Sequence, residues 1–307
     1  MRLHFLGTGA GMPSMSRNVS AIALSLVPEI GQIWLFDVGE GTQHRIQRSS
    51  AKAHLVTRVF VTHLHGDHLF GLPGLLSSRG FEAGPATDVD VYGPPGIATF
   101  VQTCLEVSST RLAFAVRCHE LTGGEVIAAD GFEVTALPLD HVVPCLGYRV
   151  AESARPGELR VDRLLEAGIR PGHKFADLKA GRVVTIGGRR FDGRDYLGPE
   201  RPGRVIAYTG DTRPCANTVE LARDADFLIH EATFGDDHAG AAAHFGHSTF
   251  TQAAGIARDA RVRRLLVTHI SARYSDSELE RLVADAQSIF PETAVVCDMD
   301  EVDVPRR

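Results

Sequence analysis

Short apolar runs recur along the chain, each closed by glycine, proline or a polar residue, the pattern of many short strands. Leu3-His-Phe-Leu opens the series and enters the glycine-rich turn Gly7–Gly11. Its glycine spacing is wrong for a dinucleotide or P-loop fingerprint. Val19–Val27 and Gln32–Asp37 predict two strands joined by a turn at Pro28–Gly31. The β-branched and aromatic run from Val59 predicts a buried strand. Val89–Tyr92, Val116–Leu121, Glu125–Ala128, Phe132–Leu137, Leu146–Val150, Arg204–Asp211, Asp226–Thr233, Arg264–His269 and Ala294–Val296 continue the series. Helical segments fall between them. One opens after Asp37–Gln43, one lies in part of Leu69–Arg79, and Pro94–Glu106 carries proline in its first turn. Ser248–Ala260 is capped by Ser248 or Thr249, and Asp276–Ile289 places Leu279, Leu282, Val283 and Ala286 on one face. The chain closes in an acidic tail, Asp298–Asp303. The expected class is mixed α/β, with two sheets' worth of short strands and helices outside them.

One stretch interrupts this pattern. From residue 151 to 204 regular alternation stops, and charged residues, glycine and proline rise. The 307-residue chain suits one large domain or two small ones, and 44% hydrophobic with 23% charged residues is an ordinary globular composition. The net charge of −6 argues at first against a nucleic-acid partner. Locally the argument reverses: 151–204 holds 12 Lys+Arg against 8 Asp+Glu, while the remainder holds 20 against 30. The one positive region is therefore an insertion in an acidic protein. Five scattered cysteines without a CxxC pair predict neither disulfides nor a cysteine zinc site. No secretory signal is read at the N-terminus, and no apolar run approaches the roughly 20 residues of a membrane span. The expected compartment is the cytoplasm.

Candidate chemistry concentrates directly after the Val59 strand. Thr62-His-Leu-His-Gly-Asp-His68 places His63, His65, Asp67 and His68 within six residues. Imidazole nitrogens and carboxylate oxygens are ligands that Zn²⁺ and related ions prefer. His63 and His65 can point one way from the strand end, and Gly66 lets Asp67 and His68 converge from the following turn. Further polar residues close later strands: His141, Asp211, His230 with Glu231, and His269. Loops beyond strand ends are where α/β proteins gather their sites.

The spacing HxHxDH, followed by a distant His, Asp and His, resembles the metallo-β-lactamase superfamily. Pro13-Ser-Met-Ser-Arg-Asn-Val-Ser20, Asp37-Val-Gly-Glu-Gly-Thr-Gln43, Tyr208-Thr-Gly-Asp-Thr-Arg-Pro214, His230-Glu-Ala-Thr233, Gly246-His-Ser-Thr249 and Thr268-His-Ile-Ser-Ala-Arg-Tyr274 narrow the likeness to the short form of the ribonuclease Z family. It covers nearly the whole chain. The pair His230–Thr233 and His247-Ser-Thr is the most diagnostic, since lactamases, glyoxalases and lactonases of the superfamily lack it. Two departures stand out: Met15 where the family often has lysine, and Gly168-Ile-Arg-Pro-Gly-His173 where its arm usually shows a Gly-Pro step.

The resemblance implies an αββα sandwich of two mixed sheets with outer helices, and an inserted exosite arm at about 151–204. It implies two Zn²⁺ per subunit, with Mn²⁺ or Fe²⁺ as possible substitutes: His63, His65 and His141 on one, Asp67, His68 and His269 on the other, and Asp211 bridging. Asp37 would orient ligand imidazoles. The implied activity is removal of the 3′ trailer from precursor tRNA, with Asp67 as proton acceptor and His247 as proton donor, oriented by Glu231. A homodimer is implied by resemblance only. Physically, a basic arm can grip the phosphates of a folded RNA away from the cut. An enzyme rival of the same superfamily, a phosphodiesterase or arylsulfatase on small esters, has no need of that arm. A thiolesterase or lactamase leaves His230–Thr233 and His247 unexplained, and a non-enzymatic RNA-binding module leaves seven ligand positions idle.

Overall fold

The computed structural model describes residues 1–81 and 87–306. Its strands are β1 (Arg2–Gly7), β2 (Ala21–Leu26), β3 (Gln32–Val38), β4 (Val56–Phe60), β5 (Val89–Gly93), β6 (Val116–Glu120), β7 (Val126–Ala129), β8 (Phe132–Leu139), β9 (Cys145–Glu152), β10 (Val183–Ile186), β11 (Arg189–Asp192), β12 (Val205–Tyr208), β13 (Phe227–Glu231), β14 (Arg264–Thr268), β15 (Thr293–Val295) and β16 (Glu301–Asp303). The chain separates into two compact units, Met1–Val150 with Val205–Pro305, and Ala151–Arg204 with the chain end.

In the first unit one sheet runs β16-β1-β2-β3-β4-β5-β6 and the other β15-β14-β13-β12-β9-β8-β7. Strand pairs β3/β4, β4/β5, β12/β13 and β13/β14 are parallel, whereas β1/β2 and β7/β8 are antiparallel, so both sheets are mixed. Successive strand side chains face opposite ways. In β3, Trp34 and Phe36 enter the cluster between the sheets, while Ile33 and Leu35 meet the outer helices. In β14, Leu266 faces inward, and Leu265 and Val267 face the helices Phe250–Asp259 and Asp276–Ile289. Strands covered on both faces read as continuous apolar runs. The result is four layers, helix–sheet–sheet–helix. No helix among the described residues is long and apolar enough to cross a membrane.

Three readings are refined. Pro28–Gly31 is a turn of helix, Val27–Ile30, closed by Gly31 in the left-handed region at φ 72°. Thr249, not Ser248, caps Phe250–Asp259, in a capping box with Gln252; the Ser248 hydroxyl instead donates to the Thr212 carbonyl at 2.7 Å. The acidic stretch 298–303 is no tail. Glu301–Asp303 forms β16 against β1, and the Asp298 carboxylate accepts from Thr8 N (2.9 Å), Thr8 Oγ1 (2.7 Å), Asn18 N (2.7 Å) and Arg45 Nη2 (2.6 Å). Four donors around one carboxylate tie the first glycine-rich loop to the end of the unit. The helices Ala216–Ala222 and Ala239–Phe245 had no sequence expectation. Both are seven residues long, too short to show a helical period.

The second unit has its own core: Leu164, Ile169, Leu178, Val184 and Phe191. It contains the hairpin β10/β11, with Ile186 paired to Arg189 across Gly187 and Gly188. Both glycines have positive φ (56° and 77°), as a two-residue I′ connection requires. Four-residue strands left no alternation visible in the sequence. Arg182, Arg194, Arg201 and Arg204 pair with acids of this unit. Arg163, Arg170, Lys179, Arg189 and Arg190 are exposed.

Candidate metal centre

Several strands deliver polar side chains at or just past their C-terminal ends. His63 follows β4, His141 follows β8, Asp211 follows β12 and His269 follows β14; Glu231 is the last residue of β13. His65 is the N-cap of the short helix Gly66–Leu69, which carries Asp67 and His68. Two of the positions that hold this ring are strained: Asp37 and His269 adopt φ 56° and 57°, in the left-handed region that side chains disfavour.

All seven expected ligands come together. Ligand atoms of His63, His65 and His141 lie within 4.8 Å of one another, as do those of Asp67, His68 and His269, and Asp211 groups with His63 and His68. His63 Nε2 is 3.0 Å and His141 Nε2 3.4 Å from His65 Nδ1. His68 Nε2 and His269 Nε2 are 3.2 Å apart, and His269 Nε2 is 3.3 Å from Asp67 Oδ2. Asp211 Oδ2 lies 3.7 Å from His63 Nε2 and 3.4 Å from the Nε2 atoms of His68 and His269.

These distances fit a metal ion. Nitrogens at 2.0–2.1 Å around a tetrahedral Zn²⁺ stand about 3.3 Å apart, whereas imidazole lone pairs facing each other at that distance repel. Asp211 Oδ1 is buried with no hydrogen-bond partner among the described residues, an arrangement that costs free energy unless a cation serves it. Burial pushes His68 down, yet the carboxylates of Asp211 and Asp37 raise it well above the ordinary histidine value. Burial likewise opposes charge on Asp211, and the neighbouring His269 and His68 keep it ionised. Burial first, and the neighbouring His68 second, push His63 well below the ordinary histidine value, toward the neutral form that binds metal. The carboxylates therefore demand positive charge in the middle of the cluster.

A second ring fixes which nitrogen points inward. His68 Nδ1 meets Asp37 Oδ2 at 2.7 Å, His141 Nδ1 meets the Gly246 carbonyl at 2.8 Å, His269 Nδ1 meets Thr233 Oγ1 at 2.8 Å, and His63 Nδ1 meets Thr62 Oγ1 at 3.0 Å. Such partners set tautomer and ring orientation. The Thr62 backbone N–H and the Tyr208 hydroxyl donate to Asp37, each at 2.7 Å. Gly246 has φ 82°, and a Cβ there would lie 2.6 Å from His141 Nδ1; only glycine keeps that contact.

His247 sits beside the cluster, with Nδ1 2.9 Å from Glu231 Oε1, 3.3 Å from Thr233 Oγ1 and 3.9 Å from Asp211 Oδ2. Glu231 is itself held by Thr212 N, Thr233 N and Thr233 Oγ1. Burial works against the imidazolium, but the Glu231 carboxylate raises His247 to about 9. His230 is placed otherwise than its neighbour. As alternation along β13 requires, it turns to the opposite face, where Nδ1 meets the Glu231 carbonyl, and it joins none of the ligand groups among the described residues. The sequence reading overlooked backbone contributions. The Gly11 N–H donates to Asp67 Oδ2 at 2.8 Å, which gives the first glycine-rich turn a place in the site. Burial raises Asp67, but His269 and His68 outweigh it and hold the carboxyl well below the usual range. A cavity of about 200 Å³ opens here, lined by Gly11, His65, Asp67, Asp211, His247 and His269 among others. A larger hollow of about 420 Å³ near Met1, Arg2 and Lys52 contains none of the ligand residues.

The family model described as Beta-lactamase superfamily domain matches residues 34–157 and 196–270. The chain is 49% identical to the Ribonuclease Z of Lactiplantibacillus plantarum, covering 99% of this chain and 98% of the relative. The chain belongs to the ribonuclease Z family. A second member, the Ribonuclease Z of Anoxybacillus flavithermus, is 48% identical over 100% of this chain and 98% of its own. The crystal structure of the short form of human tRNase Z matches with TM-score 0.73 and 31% identity, over 99% of this chain and 100% of that one. The four layers are thus the metallo-β-lactamase αββα fold, and a Zn²⁺-bound PqqB from Methylobacterium extorquens shares that fold at TM-score 0.62 and 17% identity.

Proposed function

We propose that this ribonuclease Z family chain is a cytoplasmic, metal-dependent endoribonuclease that removes the 3′ trailer from precursor tRNA as a homodimer, with two Zn²⁺ per subunit. The observation that carries the reading is identity near one half, over the whole chain, to proteins named Ribonuclease Z. His63, His65 and His141 would hold one ion, Asp67, His68 and His269 the other, with Asp211 between them; Mn²⁺ or Fe²⁺ suits the same donors. Two divalent ions supply charge to a phosphate and lower the pKa of a water.

The chain's own residues do the rest. A phosphodiester at the cavity floor has Asp67 on one side to take up a proton as water oxygen bonds to phosphorus. His247 stands ready to give a proton to the departing ribose 3′-oxygen, a poor leaving group. The products are a 3′-hydroxyl on the tRNA and a 5′-phosphate on the trailer. Glu231 sets the His247 ring and sustains its charge, while Asp37, Thr233 and the Gly246 carbonyl hold the ligand imidazoles in register. The insertion 151–204 is proposed as the tRNA-binding arm, since it is the basic part of an acidic chain and exposes Arg163, Arg170, Lys179, Arg189 and Arg190.

The test is to incubate the purified protein with precursor transcripts, with and without encoded CCA, and to map the ends under defined metals and under chelator. Cleavage at the trailer junction with the stated end groups, abolished by chelator and restored by Zn²⁺ or Mn²⁺, is expected. Turnover of small esters with intact precursors would favour a phosphodiesterase or arylsulfatase. A separate result follows from the carboxylate behind His247. Because Glu231 raises that pKa, Glu231→Gln lowers it, so the alkaline limb of the kcat profile moves to lower pH. An unmoved limb would remove His247 from the role of donor.

A further inference from the structure

The cavity at the metal centre is polar and, at about 200 Å³, smaller than the roughly 300 Å³ at which pockets begin to enclose drug-sized ligands. It accommodates a phosphate group but not the nucleosides on either side. Those must lie on the rim. Four large apolar residues, Met12, Phe70, Val142 and Phe245, are more than half exposed, and each lies within three residues along the chain of a group that lines or builds the centre.

Phe70 is the best defined of them. A Cβ on Gly66 would fall 2.4–2.8 Å from three carbons of the Phe70 ring, so the ring lies directly against the Gly66 Cα. Gly66 separates His65 from Asp67, and both line the cavity. Phe100 lies alongside, its ring 6.3 Å away between centroids and inclined by 14°, and is itself packed on the core beneath. The Phe70 amide is held by the Gly66 carbonyl at 2.9 Å. The ring is thus fixed in orientation, 63% exposed, and one residue removed from two groups of the reaction centre. Fixed, exposed aromatic rings beside a phosphate site are the usual means of holding an unpaired base by stacking, without regard to sequence.

We propose that Phe70 is a positioning residue that stacks on the base of a nucleotide adjoining the cleaved phosphodiester. This rests on the ribonuclease reading above. Stacking on a base explains why a phenylalanine, rather than a polar residue, follows the ligand helix at an exposed position.

Phe70→Ala, Phe70→Trp and the unaltered chain are compared on precursor tRNA and on precursors carrying an abasic nucleotide on the 5′ or the 3′ side of the cut. On the intact precursor Phe70→Ala is expected to lose about 10- to 100-fold in kcat/KM, and Phe70→Trp to keep or exceed the original value. With the contacted base removed, the unaltered chain and Phe70→Ala should cut at the same reduced rate, because ring and base act as one unit. Undiminished cleavage by Phe70→Ala, or a penalty that persists on both abasic precursors, overturns the proposal. So does loss in Phe70→Trp equal to that in Phe70→Ala, which marks a packing role. Failure of the unaltered chain to cut any precursor instead removes the ribonuclease reading itself.

Discussion

Asp67→Ala and His247→Ala should each fold and each lose about 10²–10⁴-fold in precursor cleavage, the range of a general acid or base. Both side chains lie at the edge of the cavity, 12% and 14% exposed, and belong to none of the apolar clusters. Their removal therefore spares the core, and thermal melts should remain cooperative. The two losses differ in kind. Asp67 contacts His68, His269 and the Gly11 amide, so its variant should also retain less metal. His247 lies near Asp211 and His269 but is none of the seven expected ligands and is held by Glu231 and Thr233, so its variant should lose less metal than Asp67→Ala. A precursor with sulfur in place of the bridging 3′-oxygen at the cut offers a leaving group that needs no proton. That substrate should restore His247→Ala and leave Asp67→Ala defective. Undiminished trailer removal by Asp67→Ala would sink the assignment, and no rescue of His247→Ala would return that histidine to a structural role.

Excising residues 156–200 and joining Arg155 to Arg201 through two glycines should weaken precursor binding on the order of 10²–10³-fold near 0.1 M salt. Hydrolysis of a small phosphodiester should persist. The cut is set by the structure: Arg155 and Arg201 exchange two backbone hydrogen bonds of 2.9 Å, so their ends are already adjacent. Each unit has its own apolar core, and the excision takes the second core whole rather than halving it. Arg163, Arg170, Lys179, Arg189 and Arg190 leave with it. If these five contact phosphates, the slope of log K against log salt becomes shallower by about 4. Equal loss of both activities would mean that the insertion is structural; unchanged precursor binding would place the RNA elsewhere.

The sequence, through the family it resembles, pointed to the seven candidate ligands and to their place at strand ends. Covalent order brings His63, His65, Asp67 and His68 together, and polar residues closing apolar runs announce strand ends. Asp211 and His269 follow strands of one parallel set, β12 to β14, whereas only the packing of the two sheets brings them and His141 to that cluster. The net charge of 151–204 was equally legible, because charge needs no fold to be counted. What only the tertiary structure decided are contacts between segments with no local signal. Asp298 reads as one acid in an acidic run until β16 pairs with β1 and brings it to Thr8 and Arg45. The Gly11 N–H is one backbone amide among many until the loop reaches Asp67, 56 residues on. His230 and Glu231 look alike at a strand end, and only the facing of β13 sends one to the cluster and the other away. The inward nitrogens of His68, His141 and His269 rest on partners as distant as Gly246 for His141. Strand positions follow from local periodicity; orientation follows from packing, in which partners such as Gly246 for His141 and Asp37 for His68 lie far along the chain.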